Sequence, residues 1–120
     1  MSRYVDGFVL PVPKDNLPAY KKMARLAGKV WREHGAIEYV ECIADDVESG
    51  KLTSFPQSVK LKPDEVVVFS YIVYKSRRDR DRVNKLVMAD PRLAPMMDPT
   101  SMPFDGKRMF FGGFKEMINI

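Results

Sequence analysis

The stretch Glu65-Val-Val-Val-Phe-Ser-Tyr-Ile-Val-Tyr-Lys75 decides the fold. Val66, Val68, Ile72 and Tyr74 fall on one face and Val67, Phe69, Tyr71 and Val73 on the other. β-Branched and aromatic residues suit a pleated, packed surface. A strand that is apolar on both sides must be covered on both sides. The rest of the chain can be read by asking what supplies those two covers.

Downstream, Ser76 is placed to cap a helix running from Arg77 to about Asp90, with Val83, Leu86 and Val87 as a narrow apolar stripe and Pro91 closing it. Pro91, Pro95, Pro99 and Pro103 then recur every four residues, interleaved with Met96, Met97 and Met102. That pattern predicts an irregular apolar strap over 91–106, packed on the domain. Lys107 to Ile118 reads as a last strand, interrupted at Gly112-Gly113, where a bulge or a close backbone approach is expected.

Upstream of the central strand, residues 46–62 contain Gly50, Pro56 and several serines, and predict a long excursion with room for a short helical turn. Such a length exceeds a simple hairpin and implies a covering or functional role. From Ala36 to Ala44, Ile37, Tyr39, Glu41 and Ile43 alternate with Glu38, Val40 and Cys42, the pattern of a strand. Before it, Leu17, Tyr20, Ala24, Ala27, Trp31 and His34 recur at spacings of three and four and share one helical stripe. Asp15 or Asn16 is the expected cap, Pro18 fits the first turn, and Gly35 ends the helix. Arg3 to Val12 forms the first strand, with Tyr4, Phe8 and Leu10 opposite Val5, Gly7 and Val9.

The order is therefore β-α-β-β-α-β, the split βαβ arrangement of ferredoxin-like α+β folds, with a four-stranded antiparallel sheet and both helices on one face. One cover is thereby supplied and the other sheet face is left bare. A second copy of the chain, closing a dimeric α+β barrel, is the simplest second cover, and symmetric dimers are the commonest oligomers. The strap over 91–106 is the competing one.

Composition supports a single domain over residues 1–120: 45% of the residues are hydrophobic and 30% charged. Apolar runs such as Val66 to Phe69 are far too short to span a bilayer. The opening Met-Ser-Arg-Tyr-Val-Asp-Gly has none of the parts of an export signal, so the expected location is cytoplasmic. Cys42 is the sole cysteine and His34 the sole histidine, which excludes an internal disulfide and a four-ligand zinc site of these residue types. No cofactor is implied. The net charge of +4 is spread among interleaved acids, a weak argument for a nucleic-acid partner.

Three segments carry a resemblance: Tyr-Val-Asp-Gly-Phe-Val-Leu-Pro-Val-Pro at 4–13, Val-Trp-Arg-Glu-His-Gly-Ala-Ile-Glu-Tyr at 30–39, and Met-Pro-Phe-Asp-Gly-Lys-Arg-Met at 102–109. With Thr53-Ser54-Phe55-Pro56 and Val87-Met88-Ala89-Asp90-Pro91, the chain resembles, end to end, the YbaA-like family of uncharacterised bacterial proteins. The resemblance implies the dimeric α+β barrel fold and brings no established activity or site residues.

For chemistry, His34 beside Trp31 and followed by Glu38 is the best single candidate, as a general base or a ligand-binding group. A helix-terminal histidine packed on Trp31 and favoured by the helix dipole is the plainer reading. Ala24, Ala27 and Gly28 leave room for a cavity lined by Trp31 and Tyr71, suited to an apolar or aromatic ligand, or they simply allow close helix packing. Asp105-Gly106-Lys107-Arg108 is a turn whose Asp105 would orient a ligand and whose Arg108 would bind an anion, or it is structural. Cys42 reads as a small buried hydrophobe, and Arg77 to Arg82 as a self-paired surface.

No phosphate-binding glycine loop, paired-carboxylate motif or nucleophile elbow is present. Three functions follow in order: a homodimeric small-molecule-binding barrel, a cofactor-independent oxygenase or isomerase, and a nucleic-acid-binding module. The last is disfavoured because the central strand lacks the basic and glycine positions of RNA-recognition sheets.

Overall fold

A computed structural model describes residues 2–120 of the chain. The elements are β1 (Tyr4–Pro13), α1 (Leu17–His34), β2 (Glu38–Ile43), α2 (Phe55–Ser58), β3 (Glu65–Tyr74), α3 (Arg77–Met88) and β4 (Phe110–Lys115), with short 3-10 turns between α3 and β4. The sheet order is β2-β3-β1-β4 and every pairing is antiparallel, so the architecture is the expected ferredoxin-like one. Among the described residues no helix is long and apolar enough to cross a membrane.

Local chemistry explains where the elements begin and end. Ser76 caps α3 by accepting the Asp79 amide at 3.1 Å, and Ser54 caps α2 through the Gln57 amide. Gly35, at φ +123°, ends α1 in a conformation that disfavours a side chain. The start of α1 differs from expectation: neither Asp15 nor Asn16 caps it, because a 3-10 turn over Lys14–Asn16 leads into the helix. The Asn16 side chain is used elsewhere, donating to the Pro103 carbonyl at 3.0 Å and tying the helix start to the strap.

Register sets the two faces of the sheet. Tyr4, Phe8, Leu10 and Val12 of β1, with Val68, Ile72 and Tyr74 of β3, point towards the helices. There they meet Val30 of α1 and Val83 and Val87 of α3, all fully buried. Burial of each such aliphatic side chain stabilises the fold by about 1.5–3 kcal/mol.

The strap joins this same side. Leu93 enters the core with Tyr74 and Val83, while Phe104 and Met109 pack against Leu10 and Tyr20. It therefore does not cover the opposite sheet face, which corrects one of the two covers considered from sequence.

That opposite face remains largely open in the protomer. Val59 and Leu61, from the connection before β3, shield Val9 and Val67 at one corner. Elsewhere Phe69, Phe110 and Phe114 are 42%, 47% and 65% exposed, and Tyr71 is half-buried. The expectation that both faces of β3 are buried thus holds on the helix side and, on the other side, at Val67 and Val73 but not at Phe69 and Tyr71, because two helices and a strap all pack on the same side.

The last strand is shorter than expected, since Gly106–Arg108 form a 3-10 turn capped by Asp105. Its pairing to β1 runs without a bulge from Phe110↔Val9 to Lys115↔Tyr4. Gly113 instead serves a close approach: a Cβ there would lie 2.5 Å from the Tyr4 hydroxyl oxygen and 2.7 Å from Arg80 Nη2.

Candidate functional site

Small residues on α1 set the distance between this helix and the sheet. A Cβ on Gly28 would sit 2.7 Å from Cδ1 of Tyr39, so glycine lets the Tyr39 ring lie directly against the helix. Beside this contact the layers separate and leave an open-sided cavity of about 150 Å³. Ala27 and Met23 of α1 form one wall and Phe8, Ser70 and Ile72 of the sheet another. The strap closes it with Met96, Met102 and Phe104. An apolar cavity of roughly 150 Å³ is large enough to hold one benzene-sized ring.

One carboxylate enters this apolar space. Glu41, on β2 opposite Ser70, accepts a hydrogen bond from the Tyr20 hydroxyl at 2.7 Å on Oε1 and from the Tyr39 hydroxyl at 2.8 Å on Oε2. Burial raises the Glu41 carboxyl above its ordinary value, while the two tyrosine bonds oppose the shift. Burial and the neighbouring carboxylate push both phenols above their usual range, so they remain donors. Among the described residues no lysine, arginine or histidine nitrogen lies within 4 Å of Glu41. Tyr20, Glu41 and Tyr39 also face an outer groove whose rim carries Lys21, Arg25, Lys29 and Arg32. The trio therefore stands between the cavity and that groove.

A second polar cluster lies under α3. Asp6 of β1 is 7% exposed, and burial raises its carboxyl while Arg80 lowers it. Arg80 Nε is 3.6 Å from Asp6 Oδ1, and its Nη2 donates to the Tyr4 hydroxyl at 3.1 Å over the face of that ring. Trp31 Nε1 reaches both the Tyr74 hydroxyl and Asn84 Oδ1 at 3.1 Å, linking this cluster to the cavity wall.

The residues singled out from sequence do not converge. Trp31 lines the cavity. His34 points away to the junction of the two helix ends, where Nε2 lies 2.9 Å from Asp90 Oδ2. Its carboxylate neighbour is therefore Asp90 and not Glu38, which is exposed on the opposite face of β2. Arg92 binds the same Asp90, and these bonds hold the Asp90 carboxyl well below the usual range.

Tyr71 sits on the bare face beside Phe69, across the sheet from the cavity, because residues of odd number in β3 face away from the helices. Arg108 is engaged at every nitrogen: Nη1 and Nη2 grip the two oxygens of buried Glu65 at 2.7 and 2.6 Å, Nε binds Asp105 at 3.0 Å, and Nη1 is shared with the Val59 and Lys60 carbonyls. One Nη2 hydrogen alone has no partner among these bonds, and with Glu65 and Asp105 both held, Asp105 and Arg108 form a structural clip. Cys42 is exposed and not buried, since it lies on the uncovered face. Among the described residues no three His, Cys, Asp or Glu side chains gather where they could hold a metal.

Glu41 was passed over in the sequence, although a signal was present. It falls on the alternating face shared by Ile37, Tyr39 and Ile43, where a charge is out of place. A carboxylate in the apolar register of a strand is an expensive choice unless something uses it.

The model of a family described as "Protein of unknown function (DUF1428)" matches residues 3–106. The chain belongs to the DUF1428 family. Among its relatives is the uncharacterised protein YbaA of Escherichia coli K12, 49% identical over 117 residues that cover 98% of each chain. YbaA of Shigella flexneri matches to the same extent.

Two solved structures share the fold at low sequence identity. A nipsnap family protein of unknown function from Agrobacterium tumefaciens is 15% identical, with a TM-score of 0.55 over 95% of this chain and 87% of that one. A protein described as a dimeric ferredoxin-like protein, from an uncultured marine organism, is 11% identical, with a TM-score of 0.58 over 100% and 98% of the two chains.

Proposed function

We propose that this DUF1428 protein is a homodimeric α+β barrel whose protomers each bind a small apolar or aromatic molecule between α1, the sheet and the strap. The observation that carries the reading is the cavity of about 150 Å³, walled by aromatic rings and methionines around a single, partly buried carboxylate. Ligand sites are typically apolar and carry few polar groups that fix orientation, and four methionines, Met23, Met96, Met102 and Met109, give this one an adaptable lining.

Dimerisation is supported by the bare sheet face, where Phe69, Phe110 and Phe114 stand exposed. A ferredoxin-like structure of the same topology is described as dimeric. A second copy would bury these rings and leave the helix-side cavity intact.

The enzyme reading persists in altered form. Glu41, inside the cavity with its carboxyl raised by burial, is better placed for proton transfer than His34, which is committed to Asp90.

Methionine-methyl NMR tests the ligand site directly. Toluene added to the protein should shift the Met23, Met96, Met102 and Met109 signals and leave Met88, on α3 outside the lining, unmoved. Ala27→Phe, which fills the cavity, should abolish these shifts. Unchanged methionine signals, or the same shifts in Ala27→Phe, would overturn the reading.

A further inference from the structure

We infer that the molecule held in this cavity carries a cationic amine on its apolar or aromatic body, and that Glu41 is the group that selects it. The inference rests on the ligand-binding reading above and deepens it by naming the ligand's charge.

Three observations point the same way. First, Glu41 is a partly buried carboxylate in the wall of an apolar cavity, with no basic side chain within 4 Å among the described residues. Buried charges are normally paired, and this chain follows that rule elsewhere on its sheet, with Arg108 on Glu65 and Arg80 beside Asp6.

Second, the two tyrosines orient Glu41 without neutralising it. Each oxygen accepts one hydroxyl, and an ionised carboxylate has about four acceptor positions. Acceptor capacity therefore remains for an incoming N–H donor, while the donors already present hold the carboxylate in one rotamer.

Third, the surrounding rings suit a cation. Trp31 and Tyr39 lie 6.0 Å apart by centroid on one side, and Tyr20 and Phe104 meet edge to face at 5.8 Å on the other. The faces of such rings attract ammonium groups, whereas an anionic ligand would meet both the rings and the carboxylate unfavourably. The basic residues of the outer groove lie on α1, and none pairs with Glu41.

Trp31 is the only tryptophan and it lines the cavity, so its fluorescence reports occupancy of this site. Benzylamine, benzyl alcohol and benzoate, which share a ring and differ in head group, are titrated against the protein, with toluene as the headless reference. Benzylamine should bind at least about tenfold more tightly than benzyl alcohol, the gain expected of one charge-assisted hydrogen bond, and benzoate should be the weakest. Glu41→Gln should remove the amine preference while still binding toluene. Tyr20→Phe, which frees one oxygen of Glu41 and keeps its charge, should retain the preference.

Equal binding of amine and alcohol in the wild-type protein, with toluene also bound, would overturn the amine inference and leave the cavity reading standing. Failure of every probe, toluene included, to alter Trp31 fluorescence would overturn both. Should Glu41→Gln fold poorly, the wild-type series and Tyr20→Phe decide the question without it.

Discussion

Asp6 and Glu41 sit on the same face of the same sheet, one under α3 and one under α1, and burial raises the carboxyl of each. Around Asp6 the chain supplies a guanidinium, two phenols and an amide. Around Glu41 it supplies two hydroxyls, no cation and an open space. A structural carboxylate and one held ready differ in this way. The first has its counter-charge built into the fold, and the second has geometry fixed but charge uncompensated.

The largest effect that separates the two belongs to Arg80. Arg80→Met leaves Asp6 buried without its cation and should cost about 3 kcal/mol in a urea unfolding experiment, the low end for breaking a buried pair. Adding Asp6→Asn should recover most of that loss. Equal destabilisation of the single and double variants would break the view that Asp6 is compensated by Arg80.

Trp31 joins the two regions, so Trp31→Phe should act on both. Loss of the bonds to Tyr74 and Asn84 should cost about 1–2 kcal/mol, and the methionine signals of the cavity should shift with no probe added. A change confined to stability would show that the two clusters are independent.

Glu41→Gln should cost no more than about 1 kcal/mol at neutral pH, because it removes a desolvated charge and keeps an acceptor for one tyrosine. Its pH dependence carries a definite sign. In the folded state Glu41 holds its proton to higher pH than in the unfolded chain, so the native state binds more protons above the ordinary value near 4.5 and its stability falls as pH rises through that window. The stability of Glu41→Gln relative to the wild type should therefore increase from pH 4 to pH 7, measured by chemical denaturation at each pH. A decrease over that range would mean that Glu41 has an unseen cationic partner.

On the bare face, Phe69→Asp should alter protomer stability by no more than about 0.5 kcal/mol, as for an exposed position, while sedimentation velocity should show the dimer dissociating.

The fold was readable because β3 announces its demand plainly: Val67, Val73 and their neighbours exceed what one layer of helices can cover. The order of elements and the capping residues Ser76 and Gly35 then left few topologies. The site was less readable for two reasons. Strand alternation tells which face a residue occupies and not which face is covered, so the pattern alone places Tyr71 in the cavity and Cys42 in the core, whereas both lie on the uncovered face. Hydrogen-bond partners far apart in sequence are also invisible: Asp90 lies 56 residues from His34, and Glu65 lies 43 from Arg108. These pairings turn two apparent site groups into structural clips. The strap was anticipated as a cover, but only the structure shows that it closes the cavity.

Native mass spectrometry of freshly purified, untagged protein asks at once whether the chain dimerises and whether each protomer holds a small molecule. A dimer carrying an additional small mass that is released on unfolding and is absent from Ala27→Phe is expected. A bare monomer would contradict it, leaving the aromatic sheet face without its second copy and the cavity without an occupant.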